Sequence, residues 1–254
     1  RIAQNVAPDR VISTVDPEAR HAHKNVHRRQ DGFKAHIAIE PDAGIITDCA
    51  LSKASGAGSG DAAVGIDLLA SEHEPVRVLA DSAYGSGDLR AELVAGGHVD
   101  VVKPAPLRSA VRGGFTVDDF TVDYTNQTVT CPAVTIRNIT RAGNAIFSSA
   151  CHGCALRARC TTSASGKTLH LRPHHALQRA ARVCARNPDW LNEYRQHRPM
   201  VERSIAWLTR GNRKVRYRGV AKNDHWLHHR AAAINLRRLI TMGLGHTGTT
   251  WALA

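Results

Sequence analysis

The sequence predicts a mixed α/β fold, and three observations carry that prediction. Two alternating stretches, FKAHIAIE (33–40) and IITDCALS (45–52), flank the turn residues PDAG and read as a β-hairpin. A mostly apolar run at 76–80 reads as a short buried strand, and HVDVVK (98–103) reads as another strand. Helical spacing follows Asp61 in DAAVGIDLLASE and returns over 89–94. The order hairpin, helix, strand, helix, strand belongs to an α/β core.

Each element is justified by its residues. Residues 1–30 are polar and basic. RVISTVDPEAR gives one strand-like piece ending at Asp16-Pro17, and HAHKNVHRR reads as an exposed loop. His21, His23 and His27 in that loop could hold a metal, or could line a neutral loop near a polyanion. KASGAGSG is flexible, and Asp61 is the expected N-cap of the first helix. The strand 76–80 runs straight into Asp81, which sets a carboxylate at the strand's C-terminal end, where open α/β sheets face their ligands. A turn or capping role is the ordinary alternative for such an aspartate.

The texture changes over 114–172, which is rich in Thr and Val and poor in helix signals. FTVDDFTVDYTNQTVTC reads as a hairpin turning near Asn126, and the block reads as an insertion. Helical stretches follow at roughly 174–187, 189–210 and 223–242. Pro199 inside the second predicts a restart there, with proline in the first turn. The domain reading is therefore a core in two parts, 1–113 and 173–243, an insertion at 114–172, and a tail at 244–254.

Net charge is +12 over 254 residues, and it is concentrated. Between Tyr194 and Arg238, twelve Lys and Arg face only Glu202 and Asp224, leaving +10. Such a balance favours a polyanionic partner. RGNRKVRYRG reads as a DNA-backbone groove, with Tyr217 placed for base stacking. No apolar stretch approaches the ~18 residues a membrane span needs. The start carries no signal-peptide pattern, and residue 1 is Arg rather than Met; the expectation is a cytoplasmic protein and a piece of a longer chain.

Four of six cysteines cluster: Cys131, then CHGCALRARC with Cys151, Cys154 and Cys160. A C-x2-C pair plus two further thiols matches structural Zn²⁺ ligation in a zinc knuckle, with His152 as a substitute ligand and Arg157 and Arg159 favouring thiolate. Ordinary buried cysteines are the alternative. Cys49 and Cys184 are expected in the core.

YRQHRPMVERSIAWLTR sets Glu202 among cations. On helical spacing Arg198, Glu202 and Thr209 share one side, while Val201, Ile205 and Leu208 line the side expected to pack on the sheet. Glu202 is either an ion-pair partner or one acid of a phosphoryl-transfer site, in which carboxylates hold divalent metal and arginines hold phosphates.

FKAHIAIEPDAGIIT, VLADSAYGSGDLR, YRQHRPMVERSIAWLTRGN and RYRGVAKNDHWLHHRAAAINLRRL together resemble the DDE transposases of bacterial insertion sequences, most of all the subgroup with a cysteine-bearing insertion before the last acid. The resemblance spans roughly 10–241 and implies an RNase H-like mixed sheet with flanking helices and two Mg²⁺ ions held by two Asp and one Glu. By position, Asp81 resembles the second Asp and Glu202 the Glu, with Tyr194, Arg198 and Glu202 on the signature helix. Arg210, Arg213, Lys214, Arg216, Tyr217 and Arg218 are the further expected DNA contacts, on double-stranded element ends and target, with a homodimer on DNA. Two departures stand out. Thr209 holds a position that is often Lys in the family, with Arg210 next to it; the first Asp is either Asp16 or lies ahead of residue 1. The rival readings are a nuclease that cuts without joining and a truncated, non-catalytic zinc-bearing DNA-binding remnant.

Overall fold

The computed structural model describes residues 10–25, 28–211 and 214–253. The predicted hairpin is present. Strand β2 (Arg28–Glu40) pairs antiparallel with β3 (Ile45–Lys53) from Phe33↔Lys53 to Glu40↔Ile45. The tip closes because the Glu40 carboxylate accepts from Asp42 and Ala43 N–H, and Gly44 N–H donates to Glu40 C=O at 2.8 Å. Gly44 is required there: its φ is +69°, and a Cβ would stand 2.8 Å from Met200 Sδ.

The stretch read as an exposed loop is instead β1 (Arg20–Asn25), paired antiparallel with the start of β2. His21, in β1, pairs with Asp31 on β2. His27, and the side chain of His23, lie outside the described residues. The strand-like piece ending at Asp16 contains no strand; residues 10–19 are irregular. Its alternation is too short and too polar to recruit a partner.

Helix α1 (Asp61–Leu69) follows, capped by Gly60 rather than Asp61. Next come β4 (Arg77–Ala80), α2 (Gly87–Ala95, with Ser86 Oγ accepting from Leu89 N–H) and β5 (Val99–Val102). β4 and β5 run parallel, as a strand–helix–strand crossover requires. Leu89, Leu93 and Val102 form their shared core. Arg90, 1% exposed, is tolerated there because it ion-pairs with Asp100 and donates to Val102 C=O.

The expected mixed α/β character is present, with the described strands arranged in five small sheets. β1–β2–β3 and β4–β5 remain separate.

Residues 115–171 pack around their own core of Phe120, Val129, Ala145, Phe147, Cys151, Cys160 and Leu169. Strands β6 (Thr121–Asp123), β7 (Thr128–Thr130) and β8 (Ile136–Asn138) form a meander. Its first turn lies at Asn126, where Asp123 accepts from Thr125 and Asn126 N–H. β9 (Asn144–Ile146) pairs with β10 (Thr168–His170), and the single turn α3 (Arg157–Cys160) lies between them.

The C-terminal part is helical: α4 (His175–Cys184), α5 (Pro188–Thr209) and α6 (Val220–Thr241), then a hairpin β11–β12 (Leu244–Thr247, Thr250–Leu253). The restart predicted at Pro199 does not occur. α5 runs through it, because one missing N–H in a 22-residue helix is outweighed by the packing of both halves. The buried side of α5 is Tyr194, Ser204 and Leu208, whereas Ile205 is 46% exposed. Cys184 is exposed rather than core; Cys49 is buried beside Ile46, Leu208 and Leu227, and burial pushes its thiol up to about 11.

α6 covers the outer edge of β3 through side chains. Asn235 exchanges two hydrogen bonds with the Ile46 backbone (2.8 and 2.7 Å), and Asp224 accepts from Leu51 N–H at 2.7 Å. The eleven residues between them on the helix advance about 16 Å. The five on the strand advance about 17 Å. The clamps therefore register, and an edge that would otherwise invite pairing is satisfied.

Candidate active site and nucleic-acid interface

Asp81 stands where the sequence placed it, exposed just past the end of β4. Its Oδ1 accepts from Ala83 N–H at 2.8 Å, and its carbonyl accepts from Tyr84 N–H at 3.2 Å. The turn is tied back to the hairpin by Tyr84, whose hydroxyl lies 2.9 Å from Nδ1 of buried His36 on β2. His36 Nε2 lies 3.0 Å from Ser52 Oγ on β3. Asp61, which pairs with Lys34, completes the surround at 3.9 Å. Burial raises the Tyr84 pKa, with Asp61 and Asp81 adding to the effect. Burial also lowers the His36 pKa, against Asp61, which raises it. Sequence reading missed this network; the histidine in the alternating FKAHIAIE was its only signal.

Tyr194, Arg198 and Glu202 lie one helical turn apart on α5 and are joined. Arg198 Nε donates to Glu202 Oε1 at 2.9 Å, and its Nη1 donates to the Tyr194 hydroxyl. Trp190 stacks on Tyr194, with ring centroids 5.3 Å apart. Glu202 is exposed. α5 is fixed to β4 by the bidentate Arg77–Glu193 pair (2.7 and 2.6 Å). Thr209 turns inward to its own helix and donates to Ile205 C=O.

Asp16 occupies a different place. Its Oδ1 accepts from Glu18 N–H and its Oδ2 from Gly219 N–H, while Glu18 accepts from Val220 N–H at 2.7 Å. Both acids serve the N-terminus of α6, where backbone N–H groups and the helix dipole favour negative charge.

Lys214, Arg216, Tyr217 and Arg218 lie on an exposed irregular loop between α5 and α6; Arg213 lies outside the described residues. The loop is held by buried Asn223, which accepts from Tyr217 N–H and donates to Tyr217 and Gly219 carbonyls. Arg210 caps the end of α5.

Cys131, Cys151, Cys154 and Cys160 line one cavity of ≈ 20 Å³. That is room for about one water-sized particle. Burial raises the Cys160 pKa; Lys167 opposes this and the other three thiols add to it. Cys151 Sγ accepts from Lys167 N–H at 3.4 Å. Of the cations expected to act here, Arg157 lines the cavity, but the guanidinium groups of both have other partners. Arg157 donates to Ser163 and Ala164 carbonyls, and Arg159 lies over the Phe115 ring. His152 is exposed and does not line the cavity. As the side chains stand, no three His, Cys, Asp or Glu among the described residues are grouped to hold a metal ion.

Among the described residues no helix is long and apolar enough to cross a membrane. Residues 127–240, which include the cysteine cluster after its first strands and all of α5, match the family model described as a transposase DDE domain. The match supports a DDE-type transposase catalytic domain. Comparison with curated proteins and with solved structures gave no match.

Proposed function

We propose that this chain, which carries a DDE-type transposase domain over residues 127–240, cuts phosphodiester bonds at the ends of an insertion element and joins them to target DNA. The observation that carries the proposal is the register of α5 on β4. Arg77, at the start of β4, is bonded to Glu193 on α5. From Arg77 to Asp81 the strand advances about 13 Å. From Glu193 to Glu202 the helix advances about 13.5 Å. Farther along α5, Met200 meets the hairpin tip and Leu208 the Ile46–Cys49 cluster. Tyr84, beyond β4, likewise meets His36, back from that tip. These landmarks support α5 and β4 running in the same sense, with Asp81 and Glu202 at similar levels.

On this reading Asp81 and Glu202 hold divalent magnesium, for which exposed carboxylate oxygens are the fitting donors. Bound there, two such ions supply Lewis-acid activation of the attacking oxygen and neutralise charge on the leaving one. Arg198 orients Glu202 through their hydrogen bond, Tyr84 and His36 fix the Asp81 turn, and Lys214, Arg216 and Arg218 take backbone phosphates. Asp16 is left out because both its oxygens serve backbone N–H groups. Among the described residues no third acid is grouped with Asp81 and Glu202.

The thiols of Cys131, Cys151, Cys154 and Cys160 line one small cavity; as they stand no three are grouped to hold an ion, so a structural zinc there would have to draw them together. We read 114–172 as a zinc-bearing insertion into a core made of 1–113 and 173–243. The exposed Leu236, Ile240, Met242, Trp251 and Leu253 at the end of α6 and on the last hairpin support self-association, which we read as a homodimer.

The deciding experiment is magnesium-dependent nicking of supercoiled plasmid by the chain. Asp81→Asn and Glu202→Gln should each lose about 100-fold or more while still binding DNA. Asp16→Asn, which keeps an accepting oxygen, should nick like the wild type. Nicking that survives Glu202→Gln would remove the site assignment. Binding without any wild-type nicking would leave the non-catalytic remnant as the better reading.

A further inference from the structure

The loop 214–219 and the first turns of α6 border an open cleft of ≈ 270 Å³ lined by Tyr217, Lys222, His225, Trp226 and His229. Its size approaches the lower end of ligand pockets, about 300 Å³. Its chemistry is aromatic and cationic. The Arg216 and Arg230 guanidinium carbons lie 5.9 and 5.4 Å from the Trp226 ring centroid. His225 and His229 stand one turn apart with their Nε2 atoms 3.0 Å from each other, so one donates and the other accepts. The cleft is held in shape: Asn223, 0% exposed, binds the Tyr217 and Gly219 backbone, and Arg230 is anchored to Trp207 C=O at 3.2 Å.

We propose that this cleft takes one unpaired nucleobase of a DNA strand, stacked against Trp226 and Tyr217 with its flanking phosphates on Arg216 and Lys222. The inference rests on the reading of the chain as a DNA-acting protein and adds a subsite to it. A paired base inside a duplex hides both its faces, whereas an unpaired base offers one to the exposed Tyr217 ring and the half-buried Trp226 beside it, the pairing of aromatic and cationic groups that single strands use. The surrounding charge argues for a polyanion: the 194–238 segment carries +10.

The test is binding without metal, so that no strand is cut. The probes are a short blunt duplex and the same duplex carrying a single-stranded overhang of a few nucleotides, each followed by fluorescence anisotropy at fixed salt. The wild type should prefer the overhang. Trp226→Ala should weaken overhang binding by about 5- to 100-fold, the range for removal of one base–aromatic stack, and should change blunt-duplex binding by no more than about twofold. Trp226→Phe should retain most of the preference. Because Trp226 is half-buried, Tyr217→Ala on the exposed loop gives a second reading that leaves the α6 packing alone, and it should move in the same direction. Equal weakening on both probes, or no change with either variant, overturns the proposal, as does an RNA overhang bound in preference to DNA. A chain that shows the overhang preference yet never nicks DNA loses its catalytic reading and keeps this subsite. A chain that binds neither probe loses both.

Discussion

His36 is 2% exposed and lies between Tyr84 and Ser52, and its surround dictates its protonation. The raised pKa of Tyr84 keeps the phenol protonated, so its O–H donates to Nδ1. Nε2–H then donates to Ser52 Oγ, which passes its own proton to Lys53 C=O at 3.2 Å. The network thereby assigns a neutral imidazole. Burial lowers the His36 pKa below 6.5, while Asp61 raises it and Lys34 lowers it. In the unfolded chain the ring protonates near 6.5, so below that pH the unfolded state binds the extra proton and gains stability. The stabilisation from neutral His36 is complete above pH 6.5 and declines as pH falls toward the lower folded value. Urea midpoints for wild type and His36→Gln at pH 7 and pH 5 check this: the wild type should lose more stability on acidification than the variant. Identical losses would show that His36 does not carry the acid sensitivity. His175, whose pKa burial also lowers, gives a background slope common to both proteins.

At the scale of elements, residues 115–171 pack around a core of their own and are moored to the helical part. Asp118 and Arg182 form a bidentate pair at 2.8 and 2.6 Å, and the Tyr124 hydroxyl meets His175 Nδ1 at 2.6 Å. Burial pushes the Asp118 carboxyl up, but the Arg182 hydrogen bond and charge outweigh it, and its pKa ends below the usual range. Cys151 and Cys160 are part of that apolar core, so a metal bound there would act on folding directly. Protein purified under reducing conditions should carry one zinc per chain. Stripping it with a chelator should open 114–172 to protease while α4–α6 stay protected, and Cys154→Ser should lose the zinc. Metal-free protein with an equally resistant insertion would make these ordinary core thiols. Because the Cys160 thiol is held protonated by burial, zinc uptake should strengthen as pH rises.

At the scale of the whole molecule, the excess of cations is directional. The exposed loop between α5 and α6 presents Lys214, Arg216 and Arg218 on the same C-terminal segment as Arg198 and Arg210. If these bind phosphates, affinity for blunt duplex should fall steeply with salt, by about 10³-fold or more between 50 and 200 mM for six or more phosphates neutralised. Replacing Lys214, Arg216 and Arg218 by Ala should flatten the plot of log affinity against log salt by about 0.9 for each phosphate that is no longer neutralised. A slope that the triple variant leaves unchanged would place the phosphate track elsewhere.

The sequence by itself determined the local units. Alternation specified the β2–β3 hairpin, helical spacing specified α1, α2 and the three C-terminal helices, and a carboxylate at the end of β4 was legible because a mostly apolar run stops at Asp81. The Tyr194–Arg198–Glu202 ladder could be read too, since helical period alone sets residues four apart on one side. Only the tertiary structure decided the rest. Asp16 and Asp224 are both acids in polar sequence, yet one caps α6 and the other clamps β3, each through partners over 170 residues away. Arg157 and Arg159 sit beside the thiols in sequence but bond elsewhere, and Lys167 acts on Cys160 instead. Nothing around Trp226 in the sequence signals a cleft, which exists because the loop carrying Tyr217 closes beside that ring. Periodicity is a property of one segment and survives in any context, whereas the partner of a charge or a ring depends on which distant segment the fold brings within a few ångströms.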